Sequence, residues 1–551
     1  MTRGAFVAVV AFYGVLGLLI LAPESVYSGD IGVKYIQARS LVDHRFRSLD
    51  IPYPGAFLDP ERDLIPLRPP FVMVTSGTMQ AIFPPASAVL QALAVAPFGF
   101  RGFIALSIVA AAVILAASLK IAPRDLSLPV MVALGLGGPL WFYAVSGWEH
   151  APAVAFGTAA FAVALRAPET LAAVAAGALL GAGATIRDEV ILLAPGLLFA
   201  IWLRQRTWAS IGASVAGIAV PLLAAAVVEV WWFGRPAAAH VRHAVHLLQS
   251  ALNLTNAPNP DVPVLQPMTM RERYFTVVTY WLLGRGSDLQ VGSFVAGFIA
   301  ALLVRWRWRS SLGILAWVIA VGATAIPDLR EVISAPKWLA GLIRLSPYVV
   351  FAALPLAIGA PAEGRRLWKI VVFTTAAFLV LAFAGVDTSG GKSLGPRLLL
   401  PLLPLLTVSA VVTIVSYIRA PGTVERLLGL AGATLVAIAV AIQIGGAIPA
   451  YRQRNADDAS AVLAAAESPE RIVVADDMYT AQLLFPLYDR KIIFLADTTD
   501  RGRKLGRLLT EGRFGGALLV SRNPEPAVNL APLRVERTEQ KGRMVLQVWR
   551  Q

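Results

Sequence analysis

The sequence predicts an all-α polytopic membrane protein with a small α/β domain at its C-terminal end. Three observations carry that expectation. Apolar stretches long enough to cross about 30 Å of hydrocarbon recur along the first 450 residues. The loops between them alternate in charge. From residue 452 the pattern changes to short apolar runs separated by helix-like stretches. The chain is 57% hydrophobic and only 15% charged, where soluble domains carry roughly a quarter charged residues.

The apolar periodicity places thirteen spans near 5–21, 102–119, 129–145, 151–165, 171–186, 190–203, 208–232, 290–304, 311–327, 343–360, 369–385, 398–417 and 427–449. The first reads as a retained helix rather than a cleaved signal peptide. Its apolar run is long for a signal, and Ala22-Pro23-Glu24 is a poor cleavage site. With the N-terminus inside, every loop assigned to the cytoplasm is basic: Lys120/Arg124, Arg166, Arg204/Arg206, Arg305/Arg307/Arg309, Arg365/Arg366/Lys369 and Arg419/Arg426. That is the positive-inside pattern, and an odd number of spans then leaves the C-terminus outside. The same loops account for the net charge of +14, so it does not call for a nucleic-acid partner. With no cysteine in the chain, disulfides, thiol catalysis and thiolate metal sites are excluded.

Two long segments fall outside, 22–100 and 233–289, and complete a transmembrane domain over 1–451. The first holds an amphipathic stretch near 31–42, a proline-rich region, and an apolar piece at 86–98 that is short for a span and reads as a helix lying on or dipping into the bilayer. The second carries His240, His243 and His246. At a spacing of three they drift around a helix and converge poorly for a metal. The α/β domain, 452–551, shows parallel-type strands at 471–476, 491–497 and 516–520, then a hairpin from Val535 to Trp549 turning at Lys541-Gly542.

Polar groups gather in the outside loops, where the membrane edge makes them costly unless paired or functional. Asp30 follows the first span, with Lys34, Tyr35 and Arg39 beyond it. A carboxylate there can take a proton from a hydroxyl at the membrane surface, or it can cap the helix Ile31–Val42. Glu149-His150 is a second polar pair or a solvated turn. Arg187-Asp188-Glu189 supplies a cation and two acids, or an ion pair locking two helices. Lys392 and Arg397 flank flexible backbone in Gly390-Gly391-Lys392-Ser393 and Gly395-Pro396-Arg397, a setting that suits a phosphate. It lacks the spacing of a nucleotide P-loop. Asp476-Asp477 stands at a strand end, where ligand sites and ordinary loop starts both occur.

These segments resemble the GT-C glycosyltransferase superfamily. The likeness is carried by Gly29-Asp30-Ile31 with Tyr35 and Ala38-Arg39 after the first helix, and by Arg187 and Glu189 within 178–195. Gly395-Pro396-Arg397-Leu398-Leu399-Leu400-Pro401-Leu402-Leu403-Pro404 is similar to the GPRYLLPLLP segment of many bacterial members. It covers residues 1–450. The resemblance implies an enzyme of the bacterial inner membrane, its N-terminus cytoplasmic and its C-terminal domain extracytoplasmic. Such an enzyme moves a sugar from a polyprenyl-phosphate donor to an extracytoplasmic hydroxyl on a glycan, lipid or protein, with inversion. By the same resemblance Asp30 is the general base and Glu149 the second acid. Lys392, Arg397 and Arg187 hold the donor phosphate, and His150, Lys34, Tyr35 and Glu189 orient the acceptor. Where the family often has an acidic pair, this chain has Asp30 followed by Ile31, so no metal or other cofactor is expected. A lipid-linked-sugar flippase, or a polymer ligase using a lipid-diphosphate donor, are the alternatives. The flippase reading calls for ionisable residues deep within spans and for broken helices.

Overall fold

The computed structural model describes residues 2–75, 78–234, 268–284, 341–358, 364–385 and 397–551. Six described helices are long and apolar enough to cross a membrane: Arg3–Ile20, Pro85–Ile121, Trp208–Trp231, Arg365–Gly385, Arg397–Ile418 and Thr423–Glu467. The protein is an integral membrane protein on that composition. Trp208–Trp231 illustrates the fit. Its 24 residues reach about 36 Å at the helical rise, and exposed tryptophans (Trp208 at one end, Trp231 and Trp232 at the other) suit the two interfaces. The spans expected at 290–304 and 311–327, and the three histidines, lie outside the described residues.

Several expected spans take another form. The stretch 129–145 splits into helices Ser127–Gly135 and Leu140–Val145, because Gly137-Gly138-Pro139 cannot continue a helix. The stretch 343–360 becomes Leu342–Leu345, a 3-10 turn Pro347–Ala352 and Pro355–Ile358, with a proline opening each of the last two. The helix expected at 86–98 is present as the first part of Pro85–Ile121, and it ends at Gly99, whose non-helical backbone (φ 56°, ψ −140°), two residues past Pro97, separates it from the helix that follows.

One compact unit comprises Met1–Gly14 and Ser107–Ala450. Helices Thr170–Ile186 and Trp208–Trp231 pack in it through small residues. A Cβ on Gly177 would stand 2.1 Å from the Ser214 carbonyl oxygen, and one on Gly181 2.4 Å from that of Ile218. Backbones approach this closely only where side chains are absent, the usual device where lipid removes the hydrophobic drive between helices. The loops carrying basic residues meet at one end of this unit. Arg166 Nε donates to the Lys120 carbonyl (2.7 Å), Arg204 Nη2 to the Arg166 carbonyl (3.2 Å), and Arg419 pairs with Asp125 (2.8 Å).

The second unit joins 15–106 to 451–551. Its sheet has strands β3 (Ile472–Ala475), β4 (Ile492–Leu495), β5 (Gly516–Ser521), β6 (Arg534–Lys541) and β7 (Met544–Arg550), in the order β4-β3-β5-β7-β6. β3 runs parallel to β4 and β5, and β6–β7 is the expected hairpin. β1 (Val72–Thr75) and β2 (Thr78–Ala81) form a separate antiparallel pair. The sheet's core includes Val474, Phe494, Leu519 and, from the segment 22–100, Leu64. The Leu495 amide donates to the Leu64 carbonyl at 2.9 Å. Lys504 holds Glu61 and Asp63 at 2.8 and 2.6 Å. A sequence boundary at 451 therefore assigns this segment to one domain, whereas its side chains complete the core of the other.

Candidate functional site

Asp30 belongs to the second unit. Helix Gly29–Asp43 begins one residue before it, so Ser28, with extended backbone (φ −140°, ψ 143°), occupies the cap position. Asp30 is therefore not the N-cap that the sequence allowed. It lies in the first turn, where the helix dipole favours a negative charge. Its carboxylate accepts a short hydrogen bond from the Ser28 hydroxyl and pairs with Lys34 Nζ at 3.3 Å, with both side chains buried. An acid four residues ahead of a lysine is the favourable order on a helix. The Lys34 ammonium also sits 4.1 Å from the centre of the Phe83 ring. Lys34 is thus placed to orient Asp30. Tyr35 packs edge-on to Phe100, Phe103 and Phe485 at 5.3, 5.7 and 5.3 Å between ring centres, and burial pushes its hydroxyl above the usual phenol range.

The glycines beside Asp30 have a packing role. A Cβ on Gly32 would lie 2.2 Å from the Gln482 carbonyl oxygen, and one on Gly29 2.2 Å from Gln482 Oε1. Gln482 is fully buried, and among the described residues neither atom of its amide has a hydrogen bond. Sequence reasoning missed this residue. It sits in a C-terminal segment with no motif, and only the close approach of the two helices reveals it.

A second constellation lies in the first unit. Glu149 and His150 open helix His150–Arg166, and Arg187 follows helix Thr170–Ile186 with extended backbone (φ −149°, ψ 118°). That geometry turns Arg187 back onto both acids. Its Nη1 donates to Glu149 Oε1 at 2.9 Å, and its Nε and Nη2 fork onto Glu189 at 2.9 to 3.0 Å. The Glu149 side chain is 1% exposed, against 14% for Glu189 and 17% for Arg187. His150 Nε2 stands 3.7 Å from Glu189 Oε1, and its ring packs on Trp148 and Tyr143. Arg397, the first residue of the 3-10 turn Arg397–Leu402, lays its guanidinium over Trp148, 5.6 Å from the ring centre. Glu149, His150, Arg187, Glu189 and Arg397 thus form one cluster, tied together by Trp148, which the sequence did not single out. Two carboxylates already engage Arg187, while the planar Arg397 cation is held by an aromatic face. Lys392 lies outside the described residues. Among the described residues no three His, Asp or Glu side chains gather closely enough to hold a metal ion.

No family model matches the sequence, and no curated protein matches it. Among solved structures, the chain is similar to ArnT from Cupriavidus metallidurans bound to undecaprenyl phosphate. The identity is 15% and the TM-score 0.42, over 99% of this chain and 97% of that one. The apo form of the same protein gives 17% and 0.41, with the same coverage. The oligosaccharyltransferase AglB from Archaeoglobus fulgidus, in complex with an inhibitory peptide and a dolichol-phosphate, gives 9% and 0.40, over 94% of this chain and 69% of that one. These neighbours are GT-C glycosyltransferases, the superfamily that the sequence motifs resemble. At such TM-scores the likeness by itself decides neither fold nor activity.

Proposed function

We propose that this chain is a GT-C membrane glycosyltransferase that moves a sugar from a polyprenyl-phosphate donor to an acceptor hydroxyl outside the cytoplasm. The observation that carries the reading is Asp30. It is a buried carboxylate just past the first span, fixed in the first turn of a helix by Ser28 and Lys34. A base needs that fixed orientation to meet a hydroxyl proton at hydrogen-bonding distance. In the proposed step Asp30 takes the proton as the acceptor oxygen attacks the anomeric carbon. The bond to the lipid phosphate breaks on the opposite face, with inversion.

The leaving phosphate then carries more negative charge. Arg397 supplies a cation on a rigid aromatic platform, and Lys392 adds a second. Arg187 is better suited to orient Glu149 than to bind phosphate, because both of its edges already hold carboxylates. Glu149, so held, and His150 position the acceptor. Basic loops sharing one end of the first unit support a cytoplasmic placement of that end.

Purified Asp30→Asn tests the reading. It should keep its fold and lose transfer from polyprenyl-phosphate sugars by about 10²- to 10⁴-fold, the usual contribution of a general base. Transfer at the parent rate would remove Asp30 as the base.

The broken helices at 136–139 and 346–355 favour transport as a second reading. No Asp, Glu, Lys, Arg or His lies in 127–145, and Arg344, the one such residue in 341–358, donates to the Gly284 carbonyl at 2.9 Å. Flux of lipid-linked sugar in liposomes without transfer would establish transport instead.

A further inference from the structure

The C-terminal sheet contains a feature that the transfer reaction does not use. The chain leaves β3 for β4 on one side, then crosses to form β5 on the other. That reversal is a topological switch point. In open α/β sheets such a point opens a crevice beyond the carboxyl ends of the two flanking strands, and ligands bind there. Here those ends carry Asp476 and Asp477 after β3, and Ser521, Arg522 and Asn523 at the end of β5.

The register fixes what else lies at this end. Ser521 pairs with Val545, so the β6–β7 turn with Arg543 lies beside it. A Cβ on Gly542 would stand 2.3 Å from the Asp457 carbonyl oxygen, so the helix carrying Arg454 and Asp458 meets the same turn.

The charges here are unevenly matched. Asp458 is 1% exposed, with Arg543 Nε at 3.5 Å and Arg454 Nε at 3.7 Å. Those are ion-pair distances, beyond hydrogen bonding, and neither Asp458 oxygen has a hydrogen bond among the described residues. Arg522 has no ion pair among the described residues, and its Nε is buried without an acceptor. Burial holds the affinity of Arg522 for the proton below the usual guanidinium range, with Asp458 and Asp477 acting against that and Arg543 and Arg454 adding to it. Asp476 accepts the Ser521 hydroxyl on Oδ2, while its buried Oδ1 has no donor among the described residues.

We propose that this switch point is a second ligand site, for a hydroxylated molecule bearing a phosphate. Arg522 meets the phosphate, Arg454 and Arg543 flank it, and Asp476 Oδ1 accepts a ligand hydroxyl. A free sugar phosphate and a polyol phospholipid headgroup share this chemistry.

The full-length protein in phosphatidylcholine nanodiscs tests the site in two arms. In one, glucose 1-phosphate is titrated by thermophoresis against glucose. In the other, phosphatidylinositol is added to the nanodiscs and bound lipid is counted by native mass spectrometry. In at least one arm Arg522→Gln should weaken binding about tenfold or more, the scale of a lost charged hydrogen bond, and that arm names the source. Arg522→Lys should lose less, since it keeps the charge, and Asp476→Asn should weaken the selectivity for hydroxylated ligands. No binding in either arm, or equal binding by Arg522→Gln in both, overturns the site. So does a loss produced by Arg397→Ala and not by Arg522→Gln, which would place the phosphate in the transfer site. Inactive Asp30→Asn protein should bind as the parent does, so failure of the proposed transfer chemistry would leave this result standing.

Discussion

Replacing Arg187 with alanine removes the cation shared by Glu149 and Glu189. The parent cluster holds four polar contacts at 2.9 to 3.0 Å on that one guanidinium, two of them from Nε. Glu149 is 1% exposed, whereas Glu189, at 14%, can turn outward. The loss should therefore come mainly from removing the cation beside the buried Glu149. Breaking a buried pair by removing one partner costs about 3–5 kcal/mol. Relaxation of Glu189 puts the expectation at the lower end, about 3 kcal/mol, or a factor of about 150 in the unfolding equilibrium. The assay is denaturant unfolding in detergent micelles, followed by tryptophan fluorescence. Adding Glu149→Gln to the Arg187→Ala background should recover most of the loss, because a neutral side chain no longer calls for the cation. A double-mutant cycle should show a coupling of about 2 kcal/mol. Parent-like stability of Arg187→Ala, or strict additivity with Glu149→Gln, would refute the shared-cation account.

Other perturbations probe the scaffold. Gly181→Val forces a branched side chain against the Ile218 carbonyl, 2.4 Å from its Cβ position, and should destabilise by about 1–3 kcal/mol in the same assay. Parent stability would show that the two helices can separate freely. Leu64→Ala removes a fully buried side chain from the sheet core and should cost about 2–5 kcal/mol, read as faster proteolysis of the C-terminal segment. Burial raises the Asp476 carboxyl above its usual range despite the Ser521 hydrogen bond. Relative to an ordinary carboxylate it is therefore at its most favourable below the unfolded pKa and loses that advantage as pH rises through the folded one. Asp476→Asn should thus stabilise the protein at neutral pH, with the gain vanishing in acid. A gain unchanged across pH would rule out the ionisation as its cause.

Much of the fold was legible because it follows from periodicity. The three parallel strands and the β6–β7 hairpin fell where short β-branched runs and a Lys-Gly turn put them, since strand burial on both faces writes a continuous apolar run. The broken segments at 136–139 and 346–355 were read as intact spans because hydropathy averages over Gly-Gly-Pro and Pro without registering the backbone they forbid. At the candidate site, Glu149, Arg187 and Glu189 were visible as costly charges at a membrane edge. Their closure into one ion cluster was not, because it depends on the extended backbone of Arg187 and on two helices meeting at right distance. Trp148 looked like any apolar loop residue, and Gln482 carries no local signal at all.

Leu64 also bears on how the chain is made. It enters a core whose other members are Ile472 and residues beyond it. A ribosome adding about 5–20 residues per second needs about half a minute to a minute and a half to travel from Leu64 to the C-terminus. For that interval Leu64 lacks the sheet residues that bury it in the finished fold. A chain interrupted before the sheet is complete would leave the segment around Leu64 exposed to proteases and chaperones, so damage near residue 551 would be felt first near residue 64.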